Sequence, residues 1–535
     1  MLETHRAPGG FRREMGAGMA RLEAVKCSPW VRPLVLLVTA AALFLIPLKV
    51  VSYGFMPIDD ALRHVAKAVS GRSWPEILVM RDGMAMDSHP GWHAFLGWFH
   101  QLTGAGMDAL VVFSVVSLVL AFLLAPLLVA VRPEAWAAAV GIMFVVMGGG
   151  WGRLFFGRPF VLTMTAVVIF CFLAKQLSAV RNHWGAMATM AVAVTLSVWL
   201  NCTWYLWGLP VAAMLLARQW RGGVRTAGVV TVGVLAGACL TGQPLVFLWL
   251  NVHHLLLTMG NSQVTRQLVG ELQPITNMSA LLLASGLFLL WRKARGRELR
   301  ECGESPVFMM LVLCWFLGIF VGRFLMDWGM PAMTVWIALE LQPVMVRYFP
   351  RMSLRRLTLA AALALTVFVL FTRDTDGRWT NSLRVERLSL TDPDAPAKPS
   401  EYAQWLPEPG GIFYSDSMGL FYSTFYANPD AKWRYILGFE PGWMPVEDLQ
   451  VYRKIQWNAG AFKCYEPWVK KMRPKDRLVL ECGMGQPPIP GLEWHYAVTN
   501  VWIGRLPRAK AAAPAVAGKA AAAAATAAAK PVAAP

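Results

Sequence analysis

Charge is scarce in this sequence. Asp, Glu, Lys and Arg make up 15% of the 535 residues, whereas hydrophobic residues make up 56%. Soluble domains contain about 25% charged residues, so this composition excludes an ordinary soluble enzyme. The formal net charge of +18 would suit nucleic acid if the basic residues were clustered on one domain. Most of them lie between long apolar runs instead, where such residues orient membrane helices, so we expect no nucleic-acid partner.

Several common site motifs are also missing. The eight cysteines include no CxxC pair and no zinc-finger spacing. The polar C-terminal part shows no nucleophile triad and no glycine-rich phosphate loop, and we find no internal repeat. Cys464 and Cys482 lie in that polar part and could form a disulfide if it is exported.

Long apolar runs are what the sequence has in abundance. A membrane-spanning helix needs about 20 apolar residues. The first run, 34–53, has a basic flank and no small-residue cleavage site, which predicts a membrane helix rather than a removed signal peptide. Further runs lie at 108–131, 135–150, 159–179, 184–200, 203–217, 226–249, 277–291, 306–322, 330–346 and 357–372. The fold class is therefore predicted to be mainly α, a polytopic transmembrane bundle of about eleven spans.

Basic residues predict how this bundle is oriented. If residues 1–33 form a basic cytoplasmic segment, alternating spans place every strongly basic turn on the cytoplasmic side. The transmembrane domain then covers 34–372, with a first outer loop at 54–107 and a polar linker at 373–399. Residues 400–508 alternate strand and helix patterns, which predicts a small extracytoplasmic α/β domain. The tail 509–535 is rich in Ala, Pro and Lys and is predicted to be disordered.

The first outer loop opens with two adjacent acids, Asp59 and Asp60, in the stretch IDDALRHVAKAVSG. Apolar residues recur at helical spacing over 62–69, which predicts an amphipathic helix at the membrane interface. Arg63 and His64 would lie on its polar face. Acids favour the first turn of a helix, so capping is an alternative role for the pair.

A second stretch of this loop, DSHPGWHAFLGWFHQLTG, contains Asp87, His89 and His93. The two histidines are four residues apart, so a helix would place them on one face. With the acid pair they could contact an acceptor or hold a divalent metal such as Mg or Mn. Helix-start, solvated or packing roles are the alternatives, and no other cofactor is indicated.

Arginines recur in turns on the predicted outer face, where the positive-inside rule disfavours them. Arg153 and Arg158 lie in GGGWGRLFFGRP, and Arg323 lies in GRFLMDWGMP together with Asp327. A guanidinium suits bidentate phosphate recognition, which predicts an anion site. Binding of ordinary lipid headgroups, or an ion pair between Arg323 and Asp327, would also explain these residues.

Together these stretches resemble the GT-C type glycosyltransferases, multispan enzymes that take sugars from polyprenyl-phosphate-linked donors. The stretch IDDALRHVAKAVSG resembles the family's acidic pair and interfacial helix, and DSHPGWHAFLGWFHQLTG its aromatic stretch before the second span. GRPFVLTMTAVVIFCFLA resembles the Arg-Pro opening of a middle span, and GRFLMDWGMPAMTVWIALELQ a late outer turn. The resemblance covers residues 34–372. Asp60 stands where the family usually has Glu, and Ser88–Pro90 reads Ser-His-Pro in place of Lys-Pro-Pro.

The resemblance implies inverting transfer of a hexosyl or pentosyl group on the outer face, in a bacterial inner membrane. Asp59 would be the general base, with Asp60 beside it as a second catalytic acid. Arg153, Arg158 and Arg323 would hold the donor phosphate. The expected partners are the lipid-linked donor, membrane lipids, and a glycan, lipid or protein acceptor. A transporter or flippase of lipid-linked sugars, or a non-catalytic scaffold of the same fold, stays open as an alternative.

Overall fold

The computed structural model describes residues 30–84, 86–259, 273–275, 279–349, 353–374, 377, 379–380, 387–392 and 395–507. Predictions for the basic segment before residue 30, for much of the linker and for the tail lie outside the described residues. Helices dominate the chain up to Thr372, and a small sheet follows after residue 400.

Helix α1 is Val31–Ser52, and the first outer loop contains α2 Asp60–Ser70, α3 Trp74–Ile77 and α4 Pro90–Thr103. The helices that follow are α5 Met107–Leu124, α6 Pro133–Met147, α7 Phe160–Ser178, α8 Trp184–Leu200, α9 Gly208–Leu216, α10 Trp220–Cys239, α11 Pro244–Met259, α12 Ser279–Ala294, α13 Arg300–Gly303, α14 Pro306–Gly318, α15 Met330–Tyr348 and α16 Leu354–Thr372. A 3₁₀ segment, Gly148–Phe156, follows α6, and a π-helical segment, Phe324–Gly329, leads directly into α15.

The protein is an integral membrane protein. Among the described residues, six helical stretches are long and apolar enough to cross a membrane by length and composition: Val31–Ser52, Met107–Leu128, Phe160–Ser178, Trp220–Cys239, Phe324–Tyr348 and Leu354–Thr372. The other apolar helices are shorter, so the count of about eleven spans stays a prediction. The run 226–249, expected as one span, is divided between α10 and α11, because Gly242 at φ +77° and Pro244 interrupt the helix.

Packing in the membrane unit joins early and late helices. Helix α16 packs against α1 and α6, and α8 packs against α7 and α10. Small residues permit close approach of α8 and α10: a Cβ on Gly237 of α10 would lie 2.8 Å from the carbonyl oxygen of Thr195 on α8.

Buried ion pairs connect helix ends on the predicted cytoplasmic side. Glu134, at the start of α6, accepts from Arg356 Nε at 2.7 Å and from Arg132 Nη1 at 3.0 Å. Glu340, on α15, pairs with Arg292 and, at 2.7 Å, with Arg297. Each carboxylate thus shares two guanidinium groups, as buried charges require.

The chain forms two compact units. The first contains Met1–Pro75, Arg81–Val385 and Tyr422–Asp430, and the second contains Glu76–Met80, Glu386–Phe421 and Ala431–Pro535. Tyr422–Asp430 therefore belongs with the membrane helices, although it lies beyond the last of them in sequence. The predicted domain bounds themselves stay predictions.

The second unit is an α/β unit with a five-stranded sheet. Its strands are β1 Ile412–Tyr414, β2 Arg434–Tyr435, β3 Arg477–Glu481, β4 Glu493–Tyr496 and β5 Val501–Arg505, in the order β2-β1-β3-β5-β4. Strand β1 runs parallel to β2 and β3, whereas β5 pairs antiparallel with β3 and β4. The helices in this part of the chain are α17 Met418–Ala427, α18 Val446–Trp457 and α19 Glu466–Lys471. Cys464 and Cys482 are both free thiols in this structure.

Candidate active site

The acid pair lies at the start of α2. Asp59 is the N-cap residue of this helix, and its carboxylate accepts a hydrogen bond from the Asp60 backbone N–H at 2.6 Å. The capping role considered for the pair is therefore present for Asp59. Capping uses only part of the carboxylate's acceptor capacity, because a second group donates to the same oxygen.

That second group is the guanidinium of Arg158. Its Nη2 donates to Asp59 Oδ1, and its Nε lies 3.4 Å from Asp60 Oδ2. Asp60 is also held by Arg63, one helical turn later, whose Nε donates to Oδ1 at 2.7 Å. Asp59 and Arg158 keep 19% and 17% of their side-chain surface exposed, so a ligand can reach both.

A glycine turn brings Arg158 to the acids. Gly157 has φ +67°, and a Cβ there would lie 2.8 Å from the Cβ of Ala61 on α2. The backbone before Arg158 therefore contacts the helix that carries the acids, which only a residue without a side chain permits. The predicted GRP motif thus has a structural reason for its glycine.

Burial and cations act differently on the two acids. Burial raises the pKa of Asp59, Arg158 opposes this, and the negative charge of Asp60 adds to the rise. Burial would also raise the pKa of Asp60, but Arg63 and Arg158 outweigh it and hold that pKa well below its usual range. Asp60 therefore stays ionised, and Asp59 is the member of the pair that can exchange a proton.

A tyrosine from a distant part of the sequence completes the surroundings of Asp60. The Tyr422 hydroxyl donates a hydrogen bond to the Asp60 carboxylate. Sequence patterns gave no signal for this residue, since nothing in its neighbourhood marks it as close to the first outer loop.

Asp87, His93 and His64 form a hydrogen-bonded chain beside the acid pair. His93 Nδ1 lies 2.6 Å from Asp87 Oδ2, and His93 Nε2 lies 2.8 Å from His64 Nδ1. Because a carboxylate only accepts, a neutral His93 carries its proton on Nδ1 and accepts from His64. The His89 ring lies against His64, 4.8 Å between centroids, and its backbone N–H donates to Asp87 at 3.0 Å.

Burial keeps these histidines neutral. It lowers the pKa of His89 to about 3, with nearby Arg63 adding to the effect, and it lowers the pKa of His64 and of His93. Arg63 and His64, predicted on the polar face of α2, are both buried. Arg63 Nε donates to Asp60 and His64 Nδ1 is hydrogen-bonded to His93 Nε2, so the polar face of α2 is an internal surface.

The donors predicted for a divalent metal are engaged with other groups. The acids face arginines, and both ring nitrogens of His93 are in hydrogen bonds. Within the described ranges, no group of three or more His, Cys, Asp or Glu side chains is arranged to hold a metal ion. A Mg or Mn ion stays a prediction.

The other two predicted phosphate ligands lie together at Asp327. This buried acid, in the π-helical segment, accepts from Arg153 Nη2 at 3.0 Å and from Arg323 Nε at 2.9 Å. The ion pair considered for Arg323 is therefore present, and Arg153 shares it. Two guanidinium groups on one carboxylate give this cluster a formal charge of +1.

Comparison with known proteins gives similarity to solved structures only. No protein-family model matches the chain, and no curated protein matches it in sequence. An oligosaccharyltransferase from Archaeoglobus fulgidus tethered to an acceptor peptide shows 10% identity and a TM-score of 0.44, covering 82% of this chain and 68% of that one.

The same kind of likeness recurs in further structures from that organism. Oligosaccharyltransferase AglB in complex with an inhibitory peptide and a dolichol-phosphate shows 10% identity and a TM-score of 0.45, covering 83% of this chain and 69% of that one. A complex of the enzyme with Zn and sulfate shows 11% identity and a TM-score of 0.44, covering 82% and 68%.

Proposed function

We propose that this membrane protein is a glycosyltransferase that moves a hexosyl or pentosyl group from a polyprenyl-phosphate-linked donor to a glycan, lipid or protein acceptor. The contact between Asp59 and Arg158 supports this proposal most directly. It places a carboxylate that can exchange a proton beside a cation that can bind phosphate. Both lie close to the end of α1, where a lipid-linked headgroup would reach the chain.

The proposed reaction is a direct displacement. The acceptor hydroxyl attacks the anomeric carbon from the face opposite the phosphate, and its proton passes to Asp59. As the new C–O bond forms, the bond from carbon to the phosphate oxygen breaks, and the electron pair leaves on the phosphate. Inversion at the anomeric carbon follows from this geometry.

Each partner contributes through its charge. The raised pKa of Asp59 makes it a stronger base than an ordinary aspartate. Arg158 stabilises the charge that develops on the leaving phosphate, and we assign the cluster of Arg153, Arg323 and Asp327 to the same donor headgroup. Asp60 stays ionised and holds Arg158 and Arg63 in place.

The topology assigned to this reaction follows the basic residues of the sequence. The N-terminus is cytoplasmic in a bacterial inner membrane, and the acid pair and the second unit lie on the periplasmic side. Both acids then follow a helix that leaves the membrane outward.

The test is a mass comparison of envelope glycans, lipids and glycoproteins from cells that lack the chain. Deletion should remove one sugar mass from one of these classes, and the wild-type chain should restore it. Asp59→Asn should restore about 10²- to 10⁴-fold less product per unit time, because it removes the base. Asparagine caps helices about as well as aspartate, so the fold is preserved.

The matched control is Asp82→Asn, an exposed acid of the same outer loop. It should restore the sugar as the wild type does. Full restoration by Asp59→Asn would contradict the proposal, and would favour a transporter or a scaffold, which need no base.

A further inference from the structure

The segment Tyr422–Asp430 belongs with the membrane helices and is bonded to the first outer loop and its neighbours. The Tyr426 hydroxyl donates to Asp108, in the first turn of α5, at 2.6 Å. Arg72, just after α2, donates to the carbonyl oxygen of Pro429 at 3.3 Å. With the bond from Tyr422 to Asp60, these contacts attach the segment at three points.

The contact of Tyr422 differs from the other two because its acceptor belongs to the acid pair. Tyr422 is nearly buried, with 9% of its surface exposed. Burial, with the negative charge of Asp60 adding to it, raises the pKa of the Tyr422 hydroxyl well above its usual range. The hydroxyl is therefore protonated at any physiological pH and can only donate to an ionised carboxylate.

Asp60 thus has two hydrogen-bond donors, Arg63 and Tyr422, and an ion pair with Arg158, from three separate parts of the chain. Arg63 comes from its own helix, Arg158 from the turn before α7, and Tyr422 from beyond the last membrane helix. Hydrogen bonds to a charged group are stronger than those between neutral groups. Removing one donor leaves Asp60 freer to move and changes how Arg158 is shared between the two acids.

We infer that Tyr422 is a positioning residue of the acid pair: its hydroxyl fixes Asp60, and through Asp60 it fixes Arg158 against Asp59. The membrane helices alone do not complete this site, since one donor comes from the segment Tyr422–Asp430. The catalytic meaning of the inference rests on the proposed function, whereas the contact itself does not.

The contact is tested first, without any substrate, by thermal unfolding of the purified full chain in detergent at pH 7. Tyr422→Phe, Asp60→Asn and the double variant form one cycle. Tyr426→Phe, Asp108→Asn and their double variant form the matched cycle at the other tyrosine–carboxylate bond. In each cycle the Tm loss of the double variant should be clearly smaller than the sum of the two single losses.

The positioning role is tested by sugar transfer in membranes that contain the endogenous donor and acceptor. Tyr422→Phe should slow transfer by roughly 10- to 100-fold, the range for losing a hydrogen bond to a charged group. The acid limb of the rate should move to higher pH, because the hydroxyl no longer disperses the Asp60 charge that raises the pKa of Asp59. Tyr426→Phe should keep the wild-type rate and acid limb.

The Tm cycles and the transfer rates together test whether Tyr422 positions the acid pair. Coupled Tm losses together with slow, pH-shifted transfer in Tyr422→Phe alone support the inference. Additive losses for Tyr422 and Asp60 overturn it, and so does coupling with an unchanged rate and acid limb. Failure of the proposed function is seen separately, as an unaltered glycan in cells that carry Asp59→Asn.

Discussion

Asp59 and Asp60 are neighbours in the chain, yet their surroundings move their pKa values in opposite directions. Burial acts on both. The difference lies in the donors: Asp60 receives Arg63 and Tyr422 in addition to its share of Arg158, whereas Asp59 depends on Arg158 and a backbone N–H. The same side chain thus becomes a fixed anion at one position and a proton acceptor at the next.

The histidines predict how stability depends on pH. The pKa of each buried histidine is lowered in the folded state, so below about 6.5 the unfolded state binds protons that the folded state refuses. Stability therefore falls as the pH drops from about 6.5 towards the pKa of His89 near 3, by at most about 1.4 kcal/mol per pH unit for each histidine. Thermal unfolding of the purified protein between pH 7.5 and pH 5 measures the slope.

Removing one buried histidine should make this slope shallower. His89→Gln takes one such group out of the folded state, and the matched variant His183→Gln removes an exposed histidine. The Tm of His89→Gln should depend less on pH than the Tm of the wild type, and His183→Gln should leave the slope unchanged. Equal slopes in all three proteins would contradict the lowered pKa of His89.

At the scale of elements, the turn before α7 sets the position of α2. Gly157→Ala combines a positive φ with a Cβ 2.8 Å from Ala61, so α2 must shift. We expect a loss of about 1–3 kcal/mol of stability, together with slower sugar transfer. Tm measures the loss of stability, and the mass comparison of glycans, lipids and glycoproteins measures the rate of transfer.

The control lies in the 3₁₀ segment just before that turn. A Cβ on Gly152 would meet no atom within 4 Å, so Gly152→Ala should leave Tm and transfer near wild type. A normal Tm and rate for Gly157→Ala would mean that the close contact with α2 is not required.

Element-scale patterns explain which parts of the fold could be predicted. The apolar period after Asp60 predicted α2 correctly, because burial of one face leaves a trace in the spacing of its residues. Whether the polar face of α2 is exposed or buried depends on partners such as His93. The position of His93 is set by tertiary packing, which the sequence pattern does not contain. The run 226–249 was wrongly predicted as one helix, because a hydropathy average over the run does not register the helix-breaking Gly242 and Pro244.

At the scale of the whole molecule, Glu134 connects helices that are distant in sequence. It has no exposed surface and neutralises guanidinium groups from the starts of α6 and α16. Glu134→Gln leaves two buried arginines with only neutral acceptors, which should cost about 3–5 kcal/mol of stability. Glu304→Gln is the matched change in an exposed ion pair with Arg300 and should cost under about 1 kcal/mol.

These two variants are compared by Tm in one detergent and at one pH. Similar Tm values for Glu134→Gln and the wild type would mean that the cluster does not hold the helix ends together.

Long-range contacts mark the limit of prediction from this sequence. The acids and arginines were found because they stand at the ends of apolar runs, where charges are conspicuous. Tyr422 was not found, because its partner Asp60 lies in a distant part of the chain. No local sequence pattern around either residue indicates that the two are in contact. The pairing of Arg153 with Asp327 was missed for the same reason.

Arg158 meets its counter-ions before any ligand arrives. A phosphate that binds this guanidinium competes with the carboxylates for its positive charge, and it leaves Asp59 next to Asp60 with less cationic compensation. Loss of that compensation raises the proton affinity of Asp59, so binding of the donor headgroup makes this carboxylate a stronger base for the acceptor's proton. Before a ligand binds, Asp59 and Asp60 compensate the charge of Arg158, and the phosphate of the donor takes over part of that role.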